Sequence, residues 1–166
     1  ETRVNTAIMN VVESGQYILG PEVAAFEQEL AAFSGAKHAL GCANGTDALA
    51  LPLMAWEIGP GDAVFCPSFT YCATAEVVAL LGATPVFVDV ERDTYNSSAS
   101  SLEQAISEIQ SAGELKLKAV IAVDLFGQSA DYEAIEPIVR RAGMRLISDS
   151  AQGFGTTQNG NHPLKW

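Results

Sequence analysis

Basic residues are scarce in this sequence of 166 residues, which has 9 lysines and arginines against 20 aspartates and glutamates and a net charge of −11. That sign repels the phosphates of nucleic acids and anionic lipids, so we expect no nucleic acid and no membrane as a partner. No apolar run approaches the roughly 18 residues needed to span a bilayer, and no signal peptide opens the chain. Because Glu1 is not an initiator methionine, we expect that the true start is missing.

Cysteine is also rare, with Cys42, Cys66 and Cys72 as the only three residues of this type. Their number is odd and they lack CxxC spacing, while His38 and His162 lie far apart in the sequence. These features argue against a structural disulfide and against a zinc site, so no metal is expected. We expect three small, buried, reduced thiols in a cytoplasmic protein.

Hydrophobic residues make up 48% of the chain and charged residues 17%, so the chain can bury a core and should fold. The sequence predicts a short helix over residues 4–14 and an extended arm up to residue 20, which together form an N-terminal segment, 1–20. Pro21 suits the first turn of the next helix and Gly35 its end. Four apolar residues spaced by three and four predict one apolar face on that helix: Val23, Phe26, Leu30 and Phe33.

Strand and helix patterns alternate along the rest of residues 21–166. Strands are predicted in AKHALGC, DAVFCP, TPVFVDV, KAVIAVDL and MRLISDSA, and helices in TDALALPLMAW, TAEVVALLG, SLEQAISEIQSA and DYEAIEPIVRRAG. The strands are continuous apolar runs, which is typical of strands covered on both faces. The pattern predicts an α/β fold with a mainly parallel sheet and helices on both faces.

Polar residues gather where the predicted strands end, at the edge where ligands of open α/β sheets bind. They comprise residues 42–46 and 67–71 with Asp89, Asp124 and Asp149. Aspartate is also a common helix cap and turn residue, so a structural role stays open for each of these carboxylates.

A phosphate site is the first hypothesis for this edge. Gly45 permits a tight turn and a helix begins at about Thr46, so the free N–H groups of the first turn and the Thr46 hydroxyl can hold a phosphate. The motif is neither a Walker loop nor GxGxxG. An ordinary helix start capped by Thr46 or Asp47 is the alternative.

A site for a flat heterocycle is the second hypothesis. A buried carboxylate at Asp149 can hold the proton on a heterocyclic nitrogen, as the pyridine ring of pyridoxal phosphate requires. The Gln152 amide can reach the phenolic oxygen of that ring, and Tyr71 can stack on its face. The alternatives are a capping Asp149 with a surface Gln152, and a Tyr71 that belongs to the core.

Five segments in order resemble one known family over residues 15–155: GPEVAAFEQELAAF, CANGTDALAL, GPGDAVFCPSFTYCATAEVV, GATPVFVDVERDTYN and SDSAQGFG. The family is the DegT/DnrJ/EryC1/StrS sugar aminotransferases, which are fold-type I pyridoxal-phosphate enzymes. The resemblance implies that residues 21–166 are the N-terminal part of an incomplete large domain.

The resemblance also implies site roles. Gly45, Thr46 and Asp47 match the loop that holds the cofactor phosphate, and Tyr71 matches the aromatic residue stacked on the ring. In the same way, Asp149 matches the carboxylate at the ring nitrogen, and the residue at position 152 matches the one at the phenolic oxygen. No cofactor contact is implied for the aspartates at 89 and 124, which we leave structural.

One family feature is missing. The family forms its Schiff base through a lysine in a Ser-x-x-x-Lys-like motif, and only Lys165 follows Asp149, outside such a motif. We expect Lys165 to be a surface lysine and the chain to end inside the large domain, before the small C-terminal domain. The full-length protein should carry the lysine within a few tens of residues of Trp166.

The resemblance implies transfer of an amino group, from glutamate, to a keto group on a nucleotide-linked sugar. The segments GQYILGPEV and CANGTDALAL favour the branch that acts on UDP-linked 3-keto sugars in surface-polysaccharide synthesis. A homodimer is implied as well. Open alternatives are a sugar dehydratase of the same family, with histidine for lysine and pyridoxamine phosphate as cofactor, and a non-catalytic binding or regulatory protein. A dinucleotide-binding oxidoreductase is disfavoured because GxGxxG is absent.

Overall fold

A computed structural model describes residues 1–160 and divides the chain into two units, 1–41 and 42–166. His162 and Lys165 lie outside the described residues, as do the expectations attached to them. No helix among residues 1–160 is long and apolar enough to cross a membrane.

The first unit contains two helices, α1 (Thr2–Ser14) and α2 (Pro21–Ser34), joined by residues without regular structure. Both predicted helices are confirmed. Helix α2 ends at Gly35, whose φ of 71° is the left-handed conformation that glycine adopts without strain. The apolar face of α2 is only partly buried, since Val23 and Leu30 are half-buried and Phe26 is 58% exposed.

The second unit is built on a parallel sheet with the strand order β2-β1-β3-β4. The strands are β1 (Asp62–Pro67), β2 (Thr84–Val88), β3 (Lys116–Val123) and β4 (Arg145–Asp149). The helices are α3 (Gly45–Ala55), α4 (Ala73–Leu80), α5 (Ala99–Ala112) and α6 (Tyr132–Arg141). The predicted fold class is therefore confirmed.

Two apolar clusters explain why the strands read as continuous hydrophobic runs. Successive residues of a strand point to opposite faces of the sheet. Phe65 packs in one cluster with Leu102 of α5 and Ile135 of α6, whereas its neighbour Val64 packs in the other with Leu53 of α3. The central strands β1 and β3 are therefore apolar on both faces along most of their length, because helices cover both.

The strand predicted in AKHALGC is wrong, because residues 36–42 form neither helix nor strand. A strand exists through hydrogen bonds to a neighbour, and none of the four strands in the described part of the chain pairs with this segment. The local apolar pattern predicts a strand, but a strand forms only where a neighbouring strand pairs with it.

The expectation of three buried thiols is correct only for Cys66. Cys66 lies inside β1, and burial raises the pKa of its thiol to about 12, so it is inert at neutral pH. Cys42 and Cys72 are exposed, since they lie in the loops before α3 and α4 rather than in strands. Within residues 1–160 no group of three or more His, Cys, Asp or Glu residues could hold a metal ion.

Candidate functional site

A cavity of about 260 Å³ opens at the carboxyl edge of the sheet. Five of the six residues predicted for cofactor binding line it: Gly45, Thr46, Tyr71, Asp149 and Gln152. They come from the start of α3, the loop after β1, the end of β4 and the turn that follows it. The fold thus brings together residues that are more than 100 positions apart in sequence, and their roles toward a cofactor stay predictions.

The start of α3 offers two unused hydrogen-bond donors to this cavity. Asn44 is the N-cap and accepts a hydrogen bond from the N–H of Asp47 at 2.9 Å. The N–H groups of Gly45 and Thr46 precede the first helical hydrogen bond, and no residue in the described part of the chain accepts from them. They point along the helix axis and carry the positive end of its dipole, which is the usual environment of a bound phosphate.

The cap of this helix differs from the expected alternative. Neither Thr46 nor Asp47 is the cap, since Asn44 fills that position with an extended backbone. Asp47 is the one predicted site residue that does not line the cavity. Its carboxylate instead accepts a hydrogen bond from the Asn44 amide at 3.1 Å, so Asp47 and Asn44 stabilise each other at the helix start.

Asp149 is the acidic group of the cavity. Its Oδ1 accepts a hydrogen bond from the Ala151 N–H at 3.1 Å, and no other residue among 1–160 donates to its carboxylate. Burial raises the pKa of Asp149, the Ala151 hydrogen bond works in the opposite direction, and the negative charge of Asp124 adds to the rise. A positively charged ligand group beside Asp149 would remove this penalty, so the carboxyl group is suited to a cationic partner.

The amide of Gln152 is oriented by the backbone. Its Oε1 accepts a hydrogen bond from the Phe126 N–H at 2.7 Å. A backbone N–H can be accepted only by the amide oxygen, so Nε2 remains as a donor, and none of the described residues accepts from it. Gln152 is exposed, as the alternative of a surface glutamine predicts, but this hydrogen bond orients its amide and leaves its donor unused.

Tyr71 lines the cavity with a side chain that is 71% exposed, so the alternative of a core tyrosine is wrong. Sequence reasoning placed Thr70 at this edge without a role and missed Thr74, and the hydroxyl groups of the two residues contact each other at 3.2 Å at the cavity wall. A threonine pair spaced by four residues across a helix start has no distinctive pattern, so the sequence offered no signal for it.

Asp89 and Asp124 both lie outside the cavity lining. The Asp89 carboxylate accepts from the Val90 N–H at 2.8 Å, which is a local turn contact. Asp124 is 0% exposed, and three donors surround its carboxylate: the N–H of Ala130 and the hydroxyl groups of Tyr132 and Ser150. Such complete hydrogen bonding is what a buried carboxylate requires.

The donor set of the cavity fits pyridoxal phosphate. Gly45 and Thr46 offer unused N–H groups for a phosphate, Asp149 offers a carboxylate for a protonated ring nitrogen, and Gln152 offers an amide N–H for a phenolic oxygen. The remaining walls are largely apolar, with Leu49 among them, which suits a flat ring.

Gly153 follows this site, and we expect Gly153→Ala to destabilise the protein. An added Cβ would lie 2.4 Å from the Cβ of the buried Asp124 side chain, which cannot move away without losing its hydrogen bonds. Overpacking of this kind costs about 1–3 kcal/mol. Urea unfolding measures the loss, with Gly59→Ala as the matched control because its Cβ would meet only an atom at 3.7 Å. Equal stability of the two variants would contradict the packing of the 150–153 turn on Asp124.

A family model described as the DegT/DnrJ/EryC1/StrS aminotransferase family matches residues 1–163. Among curated proteins, UDP-2-acetamido-2-deoxy-3-oxo-D-glucuronate aminotransferase of Pseudomonas aeruginosa is 49% identical, over 95% of this chain and 42% of that protein. UDP-N-acetyl-3-dehydro-alpha-D-glucosamine 3-aminotransferase of Acidithiobacillus ferrooxidans is 44% identical, over 93% of this chain and 40% of that protein. The chain thus spans about two fifths of the length of these relatives.

Solved structures agree with this match. The crystal structure of a DegT DnrJ EryC1 StrS aminotransferase from Brucella abortus is 56% identical with a TM-score of 0.91, covering 93% of this chain and 41% of that one. Spr1654 from Streptococcus pneumoniae in its PLP form is 31% identical with a TM-score of 0.81, covering 94% of this chain and 43% of that one.

Proposed function

The chain belongs to the DegT/DnrJ/EryC1/StrS aminotransferase family, and we propose that its protein transfers an amino group from glutamate to a keto group of a nucleotide-linked sugar, using pyridoxal phosphate. One observation carries this proposal. A single cavity collects unused N–H donors at a helix start, a carboxyl group with a raised pKa and an amide with an unused N–H. These groups complement a phosphate, a ring nitrogen and a phenolic oxygen.

Each residue has a defined task in this proposal. Gly45 and Thr46 bind the phosphate through their N–H groups, and the Thr46 hydroxyl adds a further donor. Tyr71 covers one face of the ring, and the Gln152 Nε2 donates to the phenolic oxygen. When bound, pyridoxal phosphate supplies an electron sink that stabilises negative charge at the carbon that loses a proton.

Asp149 holds the proton at the ring nitrogen. Burial disfavours the negative charge of Asp149, which is why its pKa is raised. A protonated nitrogen next to the carboxylate compensates that charge, and the carboxylate in turn favours the protonated state of the nitrogen. The two groups therefore stabilise each other in the charged form that the electron sink requires.

The substrate proposal is a UDP-linked 3-keto sugar of surface-polysaccharide or related biosynthesis. Two relatives at 49% and 44% identity are aminotransferases named for UDP-linked 3-oxo and 3-dehydro sugars, which supports this branch. We further propose a cytoplasmic homodimer in which residues 1–20 form an arm and residues 21–166 begin the large domain. Exposed free thiols at Cys42 and Cys72 support a reducing compartment.

Amino transfer in the full-length protein tests the function directly. Glutamate, pyridoxal phosphate and a UDP-linked 3-keto hexose should yield the amino sugar and 2-oxoglutarate in equal amounts, measured by mass spectrometry. Loss of water from the sugar without a gain of nitrogen would instead indicate the dehydratase. A protein that binds no pyridoxal phosphate would overturn the proposal.

Thr46→Val tests the phosphate site. Valine keeps the shape of threonine but has no hydroxyl group, so one hydrogen bond to the phosphate is lost. A hydrogen bond to a charged group contributes about 1.5–3 kcal/mol, so the dissociation constant for pyridoxal phosphate should rise roughly 10- to 150-fold. Absorbance titration of the full-length protein measures this.

Thr84→Val is the matched control for that experiment. Thr84 begins β2 at the opposite edge of the sheet from the cavity, and its side chain is exposed. Its substitution should leave the dissociation constant unchanged. Equal effects of the two valine substitutions, or none from either, would show that the start of α3 does not hold the phosphate.

A further inference from the structure

Asp124 is a fully buried carboxylate that the proposed function does not yet use. It follows β3, and its Oδ1 accepts hydrogen bonds from the Ala130 N–H and the Tyr132 hydroxyl, both at 2.8 Å. Its Oδ2 accepts from the Ser150 hydroxyl. A buried charge is costly, and a carboxylate that only stabilised the loop could be replaced by a neutral acceptor.

The contacts around Asp124 close into a ring. The Tyr132 hydroxyl contacts Ser148 Oγ at 2.6 Å, Ser148 Oγ contacts Ser150 Oγ at 3.2 Å, and Ser150 returns to the carboxylate. Ser148 and Ser150 are the two neighbours of Asp149 in sequence. Because side chains alternate along an extended chain, the side chains of Ser148 and Ser150 lie on the opposite side of the backbone from the Asp149 side chain. The ring therefore holds this backbone on the side away from the Asp149 carboxylate.

A count of hydrogens shows how the ring is arranged. The hydroxyl groups of Tyr132, Ser148 and Ser150 bring three hydrogens to four contacts. Tyr132 and Ser150 donate to the carboxylate, which accepts only. Ser148 then donates to the Tyr132 oxygen at 2.6 Å, and the longest contact, 3.2 Å between the two serines, lacks a hydrogen. The negative charge of Asp124 thus fixes the direction of the ring's hydrogen bonds.

The same residue supports Gln152. The Asp124 N–H donates to the Asp149 carbonyl at 2.9 Å, and the Asp124 side chain fills the space next to Gly153. Two residues after Asp124, the Phe126 N–H orients the Gln152 amide. Asp124 therefore contacts the backbone of Asp149 directly, and it supports Gln152 through Gly153 and through the loop that carries Phe126.

We propose that Asp124 is a positioning residue for Asp149 and Gln152, and that its buried negative charge strengthens the hold of Asp149 on the proton at the ring nitrogen. The inference rests on the proposed function. The charge acts on Asp149 through space, while the ring of hydroxyl groups holds the backbone of Asp149 so that its side chain faces the cavity.

The titration behaviour of Asp149 supports an effect of the Asp124 charge in addition to the geometry. The charge of Asp124 is among the causes that raise the pKa of Asp149. The other titratable groups nearby are Tyr71 across the cavity and Tyr132 on α6. Burial and the charge of Asp124 raise the pKa of Tyr132 far above its ordinary value. Tyr132 is neutral at physiological pH, so Asp124 is the charged neighbour of Asp149 among the described residues.

Asp124→Asn separates charge from shape. The asparagine Oδ1 can still accept from Ala130 and Tyr132, and its Nδ2 can donate to Ser150. Ser150 then donates to Ser148 and Ser148 to Tyr132, so the three contacts that hold a hydrogen in the wild type are kept and the contact between the two serines gains one. We expect the midpoint of urea unfolding to stay at the wild-type value and the negative charge alone to be lost.

Two readouts in the full-length protein test the proposal. In the cofactor-free D124N protein, the carboxyl infrared band of Asp149, identified by subtraction of D149N, should titrate at lower pH than in wild type. With pyridoxal phosphate bound, the pH at which the ring nitrogen loses its proton should also fall, by about half a unit or more, followed by absorbance. Unchanged values in a folded D124N protein would overturn the proposal, since a purely structural Asp124 would move neither.

Tyr132→Phe tests the ring with the charge retained. It keeps the buried aromatic volume and removes the hydroxyl group that joins Asp124 to Ser148. The dissociation constant for pyridoxal phosphate should rise several-fold while Asp149 still titrates above its ordinary range. An unchanged dissociation constant in the Tyr132→Phe protein would overturn the positioning role of Asp124. This test does not require that the D124N protein folds. The titration of Asp149 is measured without cofactor. If the protein binds no pyridoxal phosphate, the proposed function is refuted, but the titration of Asp149 in D124N still tests the effect of the Asp124 charge.

Discussion

Asp149→Asn is expected to slow amino transfer by more than the roughly 10- to 150-fold by which the loss of a charge-assisted hydrogen bond, about 1.5–3 kcal/mol, weakens cofactor binding. Asparagine keeps the shape of the side chain and its Oδ1 contact with the Ala151 N–H, but it carries no negative charge. Without that charge the ring nitrogen loses its proton, and the ring stabilises negative charge poorly. The loss belongs to the transition state, so it should appear in the rate constant rather than in substrate affinity.

A single turnover measures this effect. Full-length enzyme saturated with pyridoxal phosphate is mixed with glutamate, and the absorbance change of the cofactor gives the rate constant. Gln152→Glu is unsuitable as a comparison because it adds a charge, whereas Thr84→Val lies at the other edge of the sheet and should react at the wild-type rate. A rate in the Asp149→Asn enzyme within a few-fold of wild type would mean that Asp149 is only a cap.

Asp149→Asn should stabilise the cofactor-free protein, although it slows amino transfer. The folded-state pKa of Asp149 is raised, so the folded protein binds a proton more readily than the unfolded chain. Stability therefore falls as pH rises from the ordinary carboxyl pKa through the raised value, and the penalty is complete only above the raised value. Asp149→Asn removes that penalty and should raise the urea midpoint at pH 7 but not below the ordinary pKa. This result would separate a functional carboxylate from a structural one, whose loss destabilises.

The sheet was largely predictable from the sequence. DAVFCP coincides with β1 residue for residue, β2 and β4 lie within the predicted runs, and β3 begins two residues before its predicted run KAVIAVDL. Their signal is strong because helices cover both faces of the sheet, so most positions in the strands are apolar. The edge where Gly45, Tyr71 and Asp149 meet follows from the parallel order of strands, since all carboxyl ends share one side.

Features that depend on tertiary partners were not predictable. Residues 36–42 have a strand-like composition, but pairing decides whether a strand forms. At the start of α3 the sequence ANGTD offers three plausible caps, and only the backbone at Asn44 selects among them. Asp124 looked like any strand-terminal aspartate, because its donors lie 6, 8 and 26 positions away.

The sequence also did not predict which residues of the strands are buried. Phe65→Ala tests this burial, and it has the largest expected effect on stability. Phe65 on β1 is 0% exposed and packs against α5 and α6, so its truncation should destabilise the full-length protein by about 3–5 kcal/mol. Phe87 occupies a similar apolar run on the adjacent strand β2 but is 59% exposed.

Phe87→Ala is the matched control. It should lower the free energy of unfolding by less than about a third of the loss expected for Phe65→Ala, because little apolar area returns to water. Urea unfolding followed by circular dichroism gives both losses. A small loss for Phe65→Ala would contradict the position of β1 at the centre of the core. An equally large loss for Phe87→Ala would contradict its exposure, because Phe87 can stabilise the protein to that extent only if another surface covers it.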